Sequence, residues 1–284
     1  MMAGRHLSFS QLTTLMGCPE QHRLRYVVGL PSVFGYQVTV GQAVHAMAER
    51  CLRERMQGIA LMPIADAVEV ACTSFASMAS TATNVDWSDR RLGRTIRMDE
   101  AVLQVDGFAR SIYRDALATM PADNVTTGVE LSFDIPIPGA KGWTFRGAID
   151  HVRRRPEGLW IDDWKTASSR WSQSRADQSL QVTAYLWALR ELTGELPTGM
   201  TFHVVTKDAK GNVTYQPYHT KRDAGEVDTF ADRLRYAIKV IGLHDKDAPS
   251  DRRVEYEYHR YCSFRDRCTP WEISKSEEDT YGIA

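Results

Sequence analysis

The sequence predicts an α/β fold: a mixed β-sheet core flanked by helices, with an N-terminal helical region and a C-terminal cysteine-containing segment. Apolar residues recur at helical spacing over residues 40–56, which is the pattern of an amphipathic helix. Residues 129–135 instead alternate with period two, as half-buried strands do. Strand and helix patterns then follow one another as far as residue 242, and this mixture is typical of an α/β core.

The N-terminal part is predicted to be helical. Ser8 and Gln11 form a Ser-x-x-Gln capping box, so a helix should begin near Phe9. Pro19 should open a second short helix, because proline is favoured at the first helical position. The apolar spacing predicts longer helices over 40–56, 64–79 and 99–119. The polar stretch 80–97 is predicted to be an exposed loop.

The second half of the chain is predicted to form the sheet. Strand patterns cover residues 129–135, 143–152, 159–165, 200–206 and 213–218. Residues 153–158, with the sequence Arg-Arg-Arg-Pro-Glu-Gly, are predicted to form the turn between the second and third strands. Helical patterns return at 177–192 and 223–242.

Composition and charge narrow the possible classes of protein. The hydrophobic share of 43% and charged share of 25% are ordinary for a globular protein. The net charge of -1 argues against a purely electrostatic nucleic-acid binder, although it permits a local basic patch. No apolar run is long enough to span a membrane, and residues 1–12 lack the apolar region of a secretory signal. The odd number of cysteines, 5, is typical of a reducing compartment, so we expect a cytoplasmic protein.

The chain is expected to form one domain. This domain covers residues 1–268 and has three parts: a mainly helical part at 1–120, an α/β catalytic core at 121–243 and a C-terminal cysteine segment at 244–268. An acidic tail follows at 269–284. No P-loop motif occurs, so the chain carries no ATPase site of that type.

Two aspartates near the ends of adjacent predicted strands suggest the chemistry. Asp163 and Lys165 lie two residues apart on one strand, so their side chains point the same way. Asp150, on the neighbouring strand, can converge with Asp163. Paired carboxylates suit Mg²⁺ or Mn²⁺, and a lysine beside them can orient a water and stabilise charge on a phosphate. An Asp-x-Lys pattern alone is common, and in most proteins such residues are ordinary strand-end residues.

The surrounding pattern makes the set more specific. Four elements occur in order: Gly41-Gln-Ala-Val-His45, Gly147-Ala-Ile-Asp150, Asp163-Trp-Lys165-Thr166 and Gln181-Val-Thr-Ala-Tyr185. From Ser8 to Cys268 the chain resembles the PD-(D/E)XK nuclease superfamily, and specifically its RecB-like branch. That branch includes the four-cysteine exonucleases associated with CRISPR adaptation. The resemblance implies a restriction-endonuclease-like fold.

The resemblance also assigns roles. It implies that Mg²⁺ or Mn²⁺ is held by His45, Asp150, Asp163 and the backbone carbonyl of Trp164. Lys165 would position the attacking water, while Gln181 and Tyr185, which share one helix face, would buttress the lysine and contact the DNA backbone. From the residues alone, Gln181 and Tyr185 could also be a helix face packed on the sheet. Glu130 is weak evidence for a further acid at the site, and Glu49 is expected to be solvated.

The implied activity is metal-dependent DNA exonuclease action on ends or single strands. The settings would be recombination, repair or phage DNA metabolism, with a helicase or another recombination or adaptation protein as a partner. Two alternatives remain: a catalytically silent DNA-binding or scaffold subunit, and a metal-stapled interaction module. The sequence does not indicate an oligomeric state.

The cysteines at the two chain ends allow three interpretations. Related iron–sulfur nucleases carry one N-terminal cysteine and a C-terminal C-x₂-C-x₅-C set. Cys18, Cys262 and Cys268 match this pattern, whereas His259 stands where the first C-terminal cysteine is expected. A [4Fe–4S] cluster, a Cys₃His zinc site and simple packing residues all remain open. Cys51 and Cys72 lie on apolar helix faces and are expected in the core.

Arginines on the predicted turn are candidate DNA contacts. Arg153, Arg154 and Arg155 could grip phosphates, which would make DNA binding salt-dependent. The alternative is that they form ordinary solvated surface.

Overall fold

The computed structural model describes residues 5–89, 92–208, 210–250 and 262–268. The predicted tail at 269–284 lies outside these residues. The chain divides into two compact units. Unit 1 comprises Met1–Phe34, Pro136–Phe145 and Ala231–Ala284, and unit 2 comprises Gly35–Ile135 and Arg146–Phe230. Among the described residues, no helix has the length and hydrophobicity that a membrane crossing requires.

The elements follow the predicted order. The helices are α1 (Phe9–Gly17), α2 (Pro19–His22), α3 (Tyr36–Met56), α4 (Ile64–Thr81), α5 (Met98–Ile112), α6 (Gln173–Asp177), α7 (Leu180–Thr193), α8 (Ala224–Asp228) and α9 (Phe230–Ile241). The strands are β1 (Arg5–Ser8), β2 (Phe34–Gly35), β3 (Val85–Asp86), β4 (Ser88–Asp89), β5 (Arg94–Thr95), β6 (Val125–Pro136), β7 (Trp143–Arg155), β8 (Gly158–Ala167), β9 (Gly199–Lys207) and β10 (Val213–Thr220). Short π-helical turns extend α2 and α5, at Arg23–Val27 and Tyr113–Leu117.

The main sheet is mixed, which confirms the predicted fold class. β7 pairs antiparallel with β8, β8 pairs parallel with β9, and β9 pairs antiparallel with β10. β6 pairs with β7. The parallel β8–β9 pair needs a crossover connection, and α6 and α7 provide it. The result is a helix-flanked mixed sheet of the restriction-endonuclease-like kind.

The core of unit 2 explains why α3 forms. Val40, Val44, Met47 and Cys51 recur at helical spacing and are fully buried. They pack in one apolar cluster with side chains of α4 and α5. Burying such side chains contributes about 1.5–3 kcal/mol each, so this face fixes the helix on the sheet.

Four predicted elements differ from the structure. β7 continues to Arg155 instead of turning at residue 153, because the Arg153 side chain finds an acidic partner in the interior. The predicted helix at 177–192 is two helices, α6 and α7, and the one at 223–242 is α8 and α9. An Asp223–Glu226 capping box starts α8, and α8 ends at its C-cap Thr229, directly before α9. The predicted loop at 80–97 contains the short strands β3, β4 and β5.

Unit 1 begins at the predicted capping box. Ser8 Oγ accepts a hydrogen bond from the Gln11 backbone N–H at 3.2 Å, and the Gln11 side chain accepts from the Ser8 N–H at 3.2 Å. Both bonds satisfy donors that the first turn of α1 leaves unpaired. Below α1, the buried Arg23 makes two 2.8 Å bonds to Glu20 and donates to the Asp245 and Lys246 carbonyls. This ion pair therefore joins early and late parts of unit 1.

Stability is expected to fall in acid because of a buried histidine in unit 1. Burial, and secondarily the charge of His244, lower the pKa of His22 from 6.5 to about 4. The unfolded chain therefore binds the proton first as the pH falls, and the stabilisation is complete above pH 6.5 and lost between 6.5 and about 4. At about 1.4 kcal/mol per pKa unit, the loss approaches about 3 kcal/mol.

The measurement is urea unfolding across this pH range. His22→Phe should flatten the profile, whereas His6→Gln, at an exposed histidine, should leave it unchanged. An equally steep acid loss in His22→Phe would contradict the prediction.

Candidate active site

Two glycines let the motif-bearing elements approach each other in unit 2. A Cβ atom at Gly41 would lie 3.1 Å from the Thr166 hydroxyl oxygen, which is tighter than an ordinary contact. A Cβ atom at Gly147 would lie 2.6 Å from the Phe133 ring. Glycine at these positions therefore lets α3 lie close to β8 and lets β7 lie against a β6 side chain. The close approach of α3 brings His45 to the sheet.

His45 contacts both neighbouring strands. Its Nε2 lies 2.6 Å from the carbonyl oxygen of Trp164 on β8, and its Nδ1 lies 3.3 Å from Asp150 Oδ2 on β7. A carbonyl only accepts, so Nε2 carries the proton in the neutral ring, and the Nδ1 lone pair then faces a carboxylate. The Nδ1 lone pair and the carboxylate oxygen are both acceptors, so a cation bound to both would be favourable.

The Trp164 peptide is held from both sides. Its N–H donates to Asp150 Oδ2 at 3.0 Å, while its carbonyl accepts from His45. The predicted ligand carbonyl therefore lies at the site, bonded to the histidine.

Glu130 on β6 is the second acid of the candidate ligand set. Ligand atoms of His45, Glu130 and Asp150 all lie within 4.8 Å of one another. Imidazole and carboxylate groups bind divalent transition metals, and carboxylates suit Mg²⁺. The chemistry of this donor set therefore fits the divalent ion that the sequence predicts.

Backbone strain accompanies Glu130. Among the described residues it is the one non-glycine residue with positive φ, at 46°. Such a conformation costs on the order of 1–3 kcal/mol and is often kept at functional sites. The buried positions of β6 change phase at Gly128 and Val129, next to this strained residue, and Glu130 lies with Asp150 in the ligand set. Sequence patterns provided only weak evidence for Glu130, because an alternating pattern does not show where the strand conformation is interrupted.

Asp163, a predicted metal ligand, contacts two neighbouring side chains. It is 1% exposed, its Oδ2 lies 2.6 Å from Lys165 Nζ, and its Oδ1 accepts from Gln181 Nε2 at 2.7 Å. Burial raises the pKa of Asp163 to about 6, Lys165 opposes this, and Asp150 adds to it. Asp163 therefore shares the electrostatic environment of the ligand set while orienting the lysine.

Two side chains of α7 hold the Asp163 carboxylate in place. Gln181 donates to Asp163, and the Tyr185 hydroxyl hydrogen-bonds with the Gln181 side chain. Burial, followed by the negative charges of Asp163 and Asp150, raises the pKa of Tyr185. The predicted pair does share one helix face. Gln181 reaches the aspartate that binds the lysine, so its link to Lys165 is indirect.

Metal affinity is expected to depend on Glu130. Glu130→Gln removes a charged oxygen ligand and should weaken Mn²⁺ binding by about 10-fold or more, as measured by titration calorimetry. The matched control is Glu195→Gln, because Glu195 pairs with Arg154 at 2.6 Å on the surface, outside the ligand set. Equal Mn²⁺ affinity in wild type and Glu130→Gln would remove Glu130 from the ligand set.

The other face of β8 carries a polar cluster that sequence reasoning missed. Asp162 is fully buried and accepts from His151 Nδ1 at 2.9 Å, His203 Nε2 at 3.0 Å and Arg153 at 2.8 Å. Burial alone would raise its pKa, but the hydrogen bonds from the two histidines hold the pKa of Asp162 well below the ordinary value. In the sequence, Asp162 is visible only as an aspartate next to Asp163, and nothing there indicates which residues bind it.

The three candidate DNA-binding arginines have separate environments. Arg153 is 5% exposed and pairs with Asp162, so it lies inside the protein and not on a surface turn. Arg154 makes bonds of 2.6 and 2.8 Å to Glu195 on the surface. Arg155 is half-buried over the Trp160 ring at 4.0 Å. The structure therefore does not bring them together as one basic patch.

The cysteines of the predicted cluster lie in unit 1. Cys18 is buried, while Cys262 and Cys268 are half-buried. Burial raises the pKa of the Cys262 thiol, and Cys18 adds to this effect, so the two side chains are electrostatic neighbours. His259 lies outside the described residues. In unit 2, Cys51 is fully buried in the apolar cluster, and Cys72 packs against it.

A helix histidine, strand carboxylates and a lysine lie together in unit 2, and these are the residue types that metal-assisted hydrolysis uses. The family model of the PD-(D/E)XK nuclease superfamily matches residues 6–269, and the chain belongs to this superfamily. No curated protein matches the chain significantly.

One solved structure supports the fold, and a second is less similar. A crystal structure from Eubacterium rectale, named "Putative exonuclease", aligns with 13% identity and a TM-score of 0.52, covering 87% of this chain and 84% of that one. The crystal structure of SSO0001 aligns with 15% identity over 91% of this chain and 94% of that one, at a TM-score of 0.31. At these identities the first likeness shows the fold alone, and the second carries no argument.

Proposed function

We propose that the protein is a Mg²⁺- or Mn²⁺-dependent DNA exonuclease of the RecB-like type. The observation that carries the proposal is the convergence of His45, Glu130 and Asp150 next to the Asp163–Lys165 pair. The superfamily implies DNA as the substrate. The exonuclease type rests on the order of the four motifs, from the histidine helix to Gln181 and Tyr185.

His45, Asp150 and Glu130 would hold the divalent ion, with Asp163 and the Trp164 carbonyl beside it. When bound, this ion supplies charge neutralisation at the scissile phosphate and lowers the pKa of a water. These ligands must be unprotonated to bind, so acid should weaken the metal site.

Lys165 would orient the attacking water. Its ammonium group is fixed by the 2.6 Å contact with Asp163, and the lysine side chain is 28% exposed, so substrate can reach it. Gln181 keeps the aspartate in place, and Tyr185 keeps the glutamine in place. An ammonium at this position also stabilises negative charge that develops on the phosphate.

The test compares linear and circular DNA, single- and double-stranded, in Mn²⁺ and in EDTA. The proposal expects metal-dependent loss of linear DNA and little loss of circular DNA. Asp150→Asn should abolish the loss, because it removes one ligand and weakens the hold on the Trp164 peptide. Equal cleavage of circular DNA would identify an endonuclease, and binding without cleavage would identify a silent DNA-binding subunit.

The biological setting extends this proposal. Action on ends or single strands suits recombination, repair or phage DNA metabolism beside a helicase or another recombination or adaptation protein, in the cytoplasm. A [4Fe–4S] cluster or a zinc ion at Cys18, Cys262 and Cys268 stays a prediction. Absorption spectra and metal analysis of anaerobically purified protein would test it.

A further inference from the structure

A cavity lies beside the catalytic lysine on the same face of the sheet. Val204 on β9 is the register partner of Lys165 on β8, and Gln216 on β10 is the register partner of Val204. Register partners on adjacent strands share a face, at about 5 Å per strand. Val204 and Gln216 both line a cavity of about 240 Å³. This cavity therefore starts one strand away from Lys165.

An aromatic path connects the lysine to the cavity wall. The Lys165 ammonium lies 5.9 Å from the centre of the Phe202 ring, and that ring lies 5.2 Å from Trp171. Trp171 lines the cavity and belongs to the segment between β8 and α6. Its backbone carbonyl accepts from the Tyr218 hydroxyl at 2.6 Å, which fixes the segment to β10.

The lining has the chemistry of a nucleotide site. Thr206, Thr214 and Gln216 supply hydroxyl and amide groups, and the exposed Arg170 supplies a positive charge at the rim. The buried Nε1 of Trp171 has no hydrogen-bond partner, so the indole retains an unused donor. The volume lies below the roughly 300–1,000 Å³ of sites for drug-sized ligands, and it suits one planar base.

We propose that this cavity holds the unstacked nucleobase next to the scissile phosphate of single-stranded DNA, with Trp171 as its platform and Arg170 against the adjoining phosphate. This inference rests on the proposed function. Arg175 now lies over the Trp171 ring at 4.3 Å. An exposed guanidinium–indole contact is weaker than base–indole stacking, so the base displaces Arg175. Stacking accepts any base, so the subsite selects single strands without strong sequence preference.

The test combines substrate and protein changes in one cycle. Single-stranded oligonucleotides that each carry one abasic position are digested in Mn²⁺, and the rate of each cleavage step is measured. For wild type, the rate should drop about 5- to 150-fold when the abasic position lies at one fixed distance from the cleaved bond. In Trp171→Ala the drop should disappear, because the platform is missing. Trp171→Phe, which keeps a ring and the packing, should retain part of it.

Tyr236→Ala is the matched control, because this tyrosine is 70% exposed and is not part of the cavity lining. It should show the wild-type drop. The subsite is refuted if wild type cleaves with no position-dependent drop, or if Trp171→Ala keeps the full drop.

A binding measurement separates this inference from the proposed function. If wild type cleaves no DNA, the nuclease proposal fails, and fluorescence anisotropy in EDTA still tests the subsite. Trp171→Ala should then weaken binding of a short oligothymidylate and leave binding of the fully abasic strand unchanged. Equal affinity of wild type and Trp171→Ala for the oligothymidylate would overturn the subsite.

Discussion

Lys165→Ala is expected to reduce the single-turnover rate of DNA cleavage by about 10²- to 10⁴-fold at saturating Mn²⁺. The lysine is the cation that contacts Asp163, at 2.6 Å, and it orients the attacking water in the proposed mechanism. The alanine variant loses both the water contact and the positive charge near the phosphate. Mn²⁺ binding itself should persist, because His45, Glu130 and Asp150 are unchanged.

Lys207→Ala provides the matched control for this loss. Lys207 ends β9 and donates to Gln104 at 3.1 Å, so its removal deletes a lysine of the same sheet without touching the ligand set. Its cleavage rate should stay near that of wild type. A Lys165→Ala enzyme that is folded and cleaves at the wild-type rate would exclude the proposed mechanism.

Asp162→Asn is expected to give the largest loss of folding stability, about 3–5 kcal/mol in the free energy of unfolding. Asp162 is 0% exposed and is the acidic partner of Arg153, which is 5% exposed. The amide leaves that guanidinium buried without a compensating charge. It also replaces one acceptor oxygen with a donor that faces either His151 or His203. Urea unfolding followed by circular dichroism measures the change.

An exposed ion pair supplies the control for Asp162. Asp134 bonds Arg146 at 2.7 Å, and the two side chains are 46% and 52% exposed. Asp134→Asn should cost less than about 1 kcal/mol, because water screens exposed pairs. Similar costs for the two variants would mean that the Asp162 cluster contributes no more than a surface pair.

These two predictions concern opposite faces of one strand. Side chains alternate along β8, so Asp163 and Lys165 face the metal ligands, while Asp162 and Trp164 face the other way. The Trp164 ring packs 4.5 Å from the His203 ring, and its carbonyl bonds His45. The buried cluster therefore supports the backbone from which the site residues project.

Much of the fold followed from local signals. The Ser8 capping box, the apolar spacing of α3 and the alternation in the strands each depend on neighbouring residues, and each element formed. The boundaries were less predictable, because a helix end such as the one at Thr229 divides a continuous apolar pattern. The strand β7 continues through the predicted turn, because Asp162 on the neighbouring strand pairs with Arg153.

The sequence by itself determined the mixed α/β class and the residues of the four motifs, because periodicity and spacing are properties of the chain. Only the tertiary structure decided that Glu130 joins His45 and Asp150, since its positive φ departs from the regular strand conformation that an alternating pattern predicts. It also decided that Asp162 is enclosed with Arg153, and that the cavity beside Lys165 exists. Each of these features depends on contacts between residues that are far apart in the sequence. Local sequence patterns do not specify such contacts.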